Sequence, residues 1–66
     1  MHWYKVEAGF VTQRTVYHGY AYNVALGEYT ACKRRGEKVD LWEDDCIIKS
    51  YSAGYEVTRS IGHDKD

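Results

Sequence analysis

The chain has 66 residues, a formal net charge of −1, 44% hydrophobic residues, seven tyrosines, two tryptophans and no proline. This length supports a single domain over 1–66, whose core supplies roughly 3–5 kcal/mol and leaves little room for a substrate cavity of about 300 Å³ or more. An aromatic fraction of 15% excludes a disordered chain, the near-neutral charge disfavours a generally basic nucleic-acid binder, and no apolar run reaches the ~18 residues that span a bilayer.

Met1-His2-Trp3-Tyr4-Lys5 lacks a basic stretch leading into an apolar one, so no secretory signal is expected and a reducing cytoplasm is. Cys32 and Cys46 are then expected as free, partly buried thiols. They form no C-x-x-C pair, and His2, His18 and His63 fall at no metal-ligand spacing. Neither a metal nor a cofactor is expected.

Trp3 to Val11 alternates: Tyr4, Val6, Ala8 and Phe10 fall on one face, and Trp3, Lys5, Glu7 and Gly9 on the other. Period two predicts a half-buried strand. After the polar Thr12-Gln13, the stretch Arg14 to Tyr22 is again extended, with Gly19 marking a bulge or a crowded backbone. The two segments predict an antiparallel hairpin. Asn23 then reads as a helix N-cap, followed by an apolar stripe of Ala25, Leu26, Tyr29 and Cys32. Lys33, Arg34 and Arg35 suit the negative end of the helix dipole, and Gly36 suits the position just past it. A strand through 21–31 in an all-β barrel is the alternative.

Glu37 to Asp45 fits either a helical turn capped by Asp40 or a hairpin turning at Glu43-Asp44-Asp45. Ile47 and Ile48 favour a strand over Cys46 to Tyr51. Ser52-Ala53-Gly54 punctuates the chain, and Tyr55 to Ile61 alternates as a last strand before a charged tail over 62–66, expected to fray. The expected fold is α+β: a small three- to four-stranded antiparallel sheet with one helix packed on one face, in the order β-β-α-β with an insertion before the last strand.

Chemistry has few footholds. His18 with Glu7 or Asp40 is a candidate acid–base pair, but a histidine on a strand face is the simpler reading, and the adjacent Asp44 and Asp45 suit a solvated turn rather than a pair across a cleft. No enzyme is expected. Lys33, Arg34, Arg35 and Lys38 are candidate phosphate contacts, and Tyr20, with Tyr17 and Tyr22, a candidate stacking platform for single-stranded nucleic acid. Four acids follow within a few residues and weaken that field. A core this small cannot bury two tryptophans and seven tyrosines, so some are displayed, as binding hot spots require.

Ala53-Gly54-Tyr55-Glu56-Val57-Thr58-Arg59 resembles the last strand of the small early protein with which short-tailed coliphages shut down host RNA polymerase. Trp3-Tyr4-Lys5-Val6-Glu7 resembles that family's first strand, and Tyr20-Ala21 matches in position ahead of the helix. Ile61 stands where the family has a second arginine, and the stretch from about Gly36 to Cys46 has no counterpart. The resemblance implies a three-stranded sheet with one helix that binds the jaw of the polymerase largest subunit (β′) and obstructs formation of the open promoter complex. It also implies that Glu7 and Arg59 grip the partner.

The expected function is therefore inhibition by occupancy of a host protein, RNA polymerase first. Trp3, Lys5, Glu7 and Arg59 make the contact face, and Asp40, Glu43, Asp44 and Asp45 form an acidic surface turned toward DNA. The alternatives are a single-stranded nucleic-acid-binding module, or a phage antagonist of another host protein such as a defence nuclease.

Overall fold

Alternation builds the first strand. In the computed structural model, which describes residues 1–59, β1 spans Tyr4–Ala8. Val6 and Ala8 are fully buried, so Lys5 and Glu7 point to the opposite face. The strand stops short of Val11. Gly9 adopts φ +129, its N–H bonds to the Lys38 carbonyl at 2.8 Å, and a Cβ there would collide with the Thr12 carbonyl oxygen. The chain leaves the sheet, and Phe10, expected on the inner face, is 61% exposed.

β2 spans Arg14–Gly19 and pairs antiparallel with β1 through a bulge at the level of Val6 and Glu7. Gly19 is the crowded position rather than the bulge: a Cβ there would lie 2.5 Å from the Tyr17 hydroxyl. That hydroxyl accepts the Ala21 N–H at 3.1 Å. The helix α1, Tyr22–Arg34, therefore begins earlier than expected, with Ala21 as N-cap and no side-chain cap. Asn23 lies inside the first turn, and Tyr22 leaves the strand to pack on Tyr4 at 5.2 Å between ring centroids. A tertiary contact has replaced the local cap. The far end follows the sequence expectation. Gly36 takes φ +81, its N–H bonds to the Lys33 carbonyl, and the Glu37 N–H bonds to that of Cys32. This pair of bonds closes the helix in a Schellman motif.

The ambiguous stretch resolves as a hairpin. β3 (Val39–Glu43) and β4 (Cys46–Ser52) are joined through Asp44-Asp45, with Asp44 at φ +53. The Asp44 carboxylate accepts His2 Nδ1 at 2.7 Å and the Trp3 N–H at 3.2 Å, while its own N–H donates to the Trp3 carbonyl at 2.9 Å. β5, Tyr55–Thr58, returns antiparallel after Ala53-Gly54. The expected extension to Ile61 and the tail 62–66 lie outside the described residues.

The sheet order is β2-β1-β3-β4-β5, all neighbours antiparallel. β2 and β3 both flank β1, so the helix joining them is a crossover packed on β1, β3 and β2. Its stripe of Ala25, Tyr29 and Cys32 closes on Val6, Ala8, Val39, Leu41 and Ile48, with Leu26 partly buried beside it. The architecture is the expected α+β sheet with one helix, but with five strands among the described residues. The segment without a counterpart in the resembled family supplies the central strand, β3. Of the thiols, Cys32 is buried and Cys46, expected partly buried, is exposed at the start of β4. No described helix is long and apolar enough to cross a membrane.

Two glycine substitutions should move stability in opposite directions. Gly27 is helical and exposed, and an added Cβ would meet nothing within 4 Å. Gly27→Ala should stabilise by about 1 kcal/mol and raise the melting temperature by roughly 4–8 °C. Gly9→Ala, strained in backbone and blocked by Thr12, should lower it. Thermal denaturation followed by circular dichroism reads both; a Gly27→Ala protein that melts no higher would contradict the open helix face.

Candidate protein-docking face

No described helix covers the second face of the sheet. Alternation places Lys5 and Glu7 of β1 there, together with Asp40 and Trp42 of β3. Pairing extends the face to His18 opposite Lys5, Ile47 opposite Trp42, Ser50 opposite Asp40, and Val57 opposite Ser50. Trp3, just ahead of β1, lies edge-on to His18 with centroids 5.3 Å apart.

Lys5 is the hub. Its ammonium is 5.0 Å from the Trp42 ring centroid, 5.9 Å from that of Trp3 and 3.7 Å from Glu7 Oε2. Each cation–π contact at a part-exposed site contributes ~0.5–1 kcal/mol, so the trio is held as a preformed surface. Trp42 Nε1 is buried without a hydrogen-bond acceptor among the described residues. The sequence expectation named Trp3, Lys5 and Glu7, and they do converge. Arg59 continues β5 on the same face as Val57 and is exposed, but β3 and β4 separate it from Glu7 by about three interstrand spacings, ~14 Å. Trp42, Ile47, Tyr55 and Val57 join the face without having been singled out. The alternation Val39, Leu41 against Asp40, Trp42 was the available signal, hidden by the helical alternative for that stretch.

The acidic surface does not assemble. Asp40 is only 6% exposed and accepts Ser50 Oγ at 2.7 Å, Lys38 Nζ at 3.2 Å and Gln13 Nε2 at 3.4 Å. Glu43 points to the helix side, where it accepts the Tyr4 hydroxyl at 2.9 Å. Asp44 is engaged by His2 and Trp3, which leaves Asp45. Strand alternation and the turn have sent four neighbouring acids in different directions.

The basic run is likewise neutralised. Lys33 Nζ donates to Glu56 Oε1 at 2.9 Å, Arg35 reaches Glu37 at 3.5 Å and the Cys32 sulfur at 3.2 Å, and Lys38 holds Asp40. Only Arg34 of this set makes no ion pair among the described residues. Tyr20 is exposed in the β2–α1 connection, ahead of the helix, whereas Lys33, Arg34 and Arg35 lie at the helix's far end. Neither expected partner of His18 is beside it among the described residues, since Glu7 pairs with Lys5 and Asp40 with Ser50 and Lys38.

Three carboxylates act as struts. The Arg14 guanidinium, 3.0 Å away, holds the Glu37 carboxyl below the usual range; His2 does the same for Asp44. The Tyr29 hydroxyl at 2.7 Å, then Lys33, lower that of Glu56, while burial and Glu56 push the Tyr29 phenol up. Glu56 thus ties β5 to α1. No family model, no curated protein and no solved structure matches this chain.

A carboxylate lowered in the folded state contributes stability in full above its unfolded value and loses it as pH falls through the lowered one. The melting temperature should therefore hold near neutrality and fall on acidification below about pH 4.3. Glu56→Gln keeps an acceptor for Tyr29 and should make that acid limb shallower. An unchanged limb would remove Glu56 from the set.

Proposed function

We propose that this protein acts by occupancy, laying the uncovered sheet face on a larger protein. The observation that carries the reading is the Trp3–Lys5–Trp42 cluster, in which one ammonium holds together two tryptophans, a residue type enriched in binding hot spots. Nothing within the described fold covers it. The partner we propose is bacterial RNA polymerase, at the jaw of its largest subunit, on the resemblance of the first and last strands. In that reading Arg59 forks onto a carboxylate of the partner, a two-bond geometry that lysine cannot reproduce. Glu7, held only at 3.7 Å by Lys5, is available to a partner cation.

The nucleic-acid alternative draws no support from the ion pairs, because Lys33, Arg35 and Lys38 each face a carboxylate of this chain.

Purified core polymerase passed over the immobilised protein should be retained, and soluble protein should reduce open-complex formation on a promoter. Trp3→Ala and Arg59→Glu should each weaken retention about tenfold or more, equivalent to ~1.4 kcal/mol, with melting curves confirming that both variants fold. Polymerase that passes through unretained overturns the assignment. Binding to single-stranded oligonucleotide that collapses with added salt would move it to the nucleic-acid reading.

A further inference from the structure

The outer edge of β5 carries main-chain groups with no partner among the described residues. The Arg59 N–H donates to the Ile48 carbonyl at 2.8 Å, and Tyr55 stands opposite Ser52. Tyr55, Val57 and Arg59 therefore aim their N–H and C=O groups at β4, and alternation aims those of Glu56 and Thr58 outward. Every residue of β5 is exposed. The opposite edge, β2, is interrupted by a bulge, whereas the β4–β5 register is unbroken and the chain contains no proline. α1 packs on β1, β3 and β2, and its Tyr29 and Lys33 reach β5 by their tips, at Glu56.

We propose that β5 pairs antiparallel with β5 of a second copy about a two-fold axis at Val57, joining two five-stranded sheets into one. The residues select the register. Outward groups must face outward groups, which allows centres at Glu56, Val57 or Thr58. A centre at Glu56 sets two carboxylates directly opposite, which is destabilising. A centre at Thr58 sets Val57 against the partner's Arg59. A centre at Val57 lets Glu56 and the partner's Thr58 exchange both main-chain bonds, and the same again by symmetry. Val57 then meets the partner's Val57 at a non-hydrogen-bonded site, where Cα atoms approach to about 4.5 Å. Tyr55, 73% exposed, lies opposite the partner's Arg59, a cation over an aromatic face. A guanidinium stacked by its face keeps its N–H edge, so this pairing leaves Arg59 able to grip a carboxylate. The inference rests on the β5 edge and not on the identity of the docking target.

Sedimentation of the full chain alone, with no other protein present, tests it separately from the docking reading. The mean mass should rise toward that of a dimer between about 10 µM and about 1 mM. Val57→Lys, which sets like charges across the axis, should remain monomeric throughout with its melting curve intact. In a Cys46→Ser background, Val57→Cys should form a covalent dimer on mild oxidation, because the paired Cα separation falls within disulfide range; Thr58→Cys should not. A wild-type chain monomeric over the whole range overturns the proposal. So does a Val57→Lys protein that still dimerises, or cross-linking through Thr58→Cys but not Val57→Cys.

Discussion

One helix has to serve five strands. An α-helix with its side chains is about 10–12 Å across, whereas five strands at ~4.8 Å spacing place the outer two about 19 Å apart. α1 therefore covers only part of one face, the β2–β1–β3 part. The core forms under it, where Ala25, Tyr29 and Cys32 meet Val6, Ala8, Val39 and Leu41. The remainder of the molecule answers to that shortage of cover. β4 and β5 extend beyond the helix like a flange, and the Glu56 strut to Tyr29 and Lys33 ties its rim back to α1.

The uncovered face meets the same shortage differently. A bare sheet of apolar side chains would invite aggregation. Here the apolar surface is organised around a cation, with the Lys5 ammonium near both indole rings and Glu7 beside it. The charge of Asp40 is drawn under Ser50, Lys38 and Gln13. The outcome is an open surface, indented between β4 and β5 by a cavity of about 390 Å³ that Ile47, Ser50, Val57 and Arg59 help to line, and suited to contact with another macromolecule. That is the physical ground for the occupancy reading, whichever partner fills it.

Charge reads differently in space than along the chain. Lys33, Arg34, Arg35 and Lys38 look like one basic stretch, and Asp40 through Asp45 like one acidic stretch. Folding interleaves them. Lys33 goes to Glu56 from the other end of the chain, Lys38 turns to Asp40, and Glu37 gathers both Arg14 and Arg35. Each pair is modest on its own, being partly exposed. Together they cross-brace the helix end, β2 and β5, and they offset the charge of Lys33, Arg35 and Lys38.

Local patterning was enough for β1, the helical stripe, the Schellman end at Gly36 and the strand character of Tyr55–Thr58, because each depends on periodicity or on one residue's backbone freedom. It was also enough to put Trp3, Lys5 and Glu7 on one face. Tertiary structure decided what periodicity leaves open. The helix begins at Tyr22 because the Tyr17 hydroxyl holds Ala21 and Tyr4 packs on Tyr22. Val39–Glu43 became the central strand because Leu41 and Val39 are buried between Val6 and Ala8 on one side and β4 on the other, a gain that only the assembled sheet provides. That choice brought Trp42 beside Lys5, dispersed the acids and set Arg59 three strands from Glu7. Sequence determined which residues are able to face the same way; only strand order, a sum of long-range contacts, determined which of them meet.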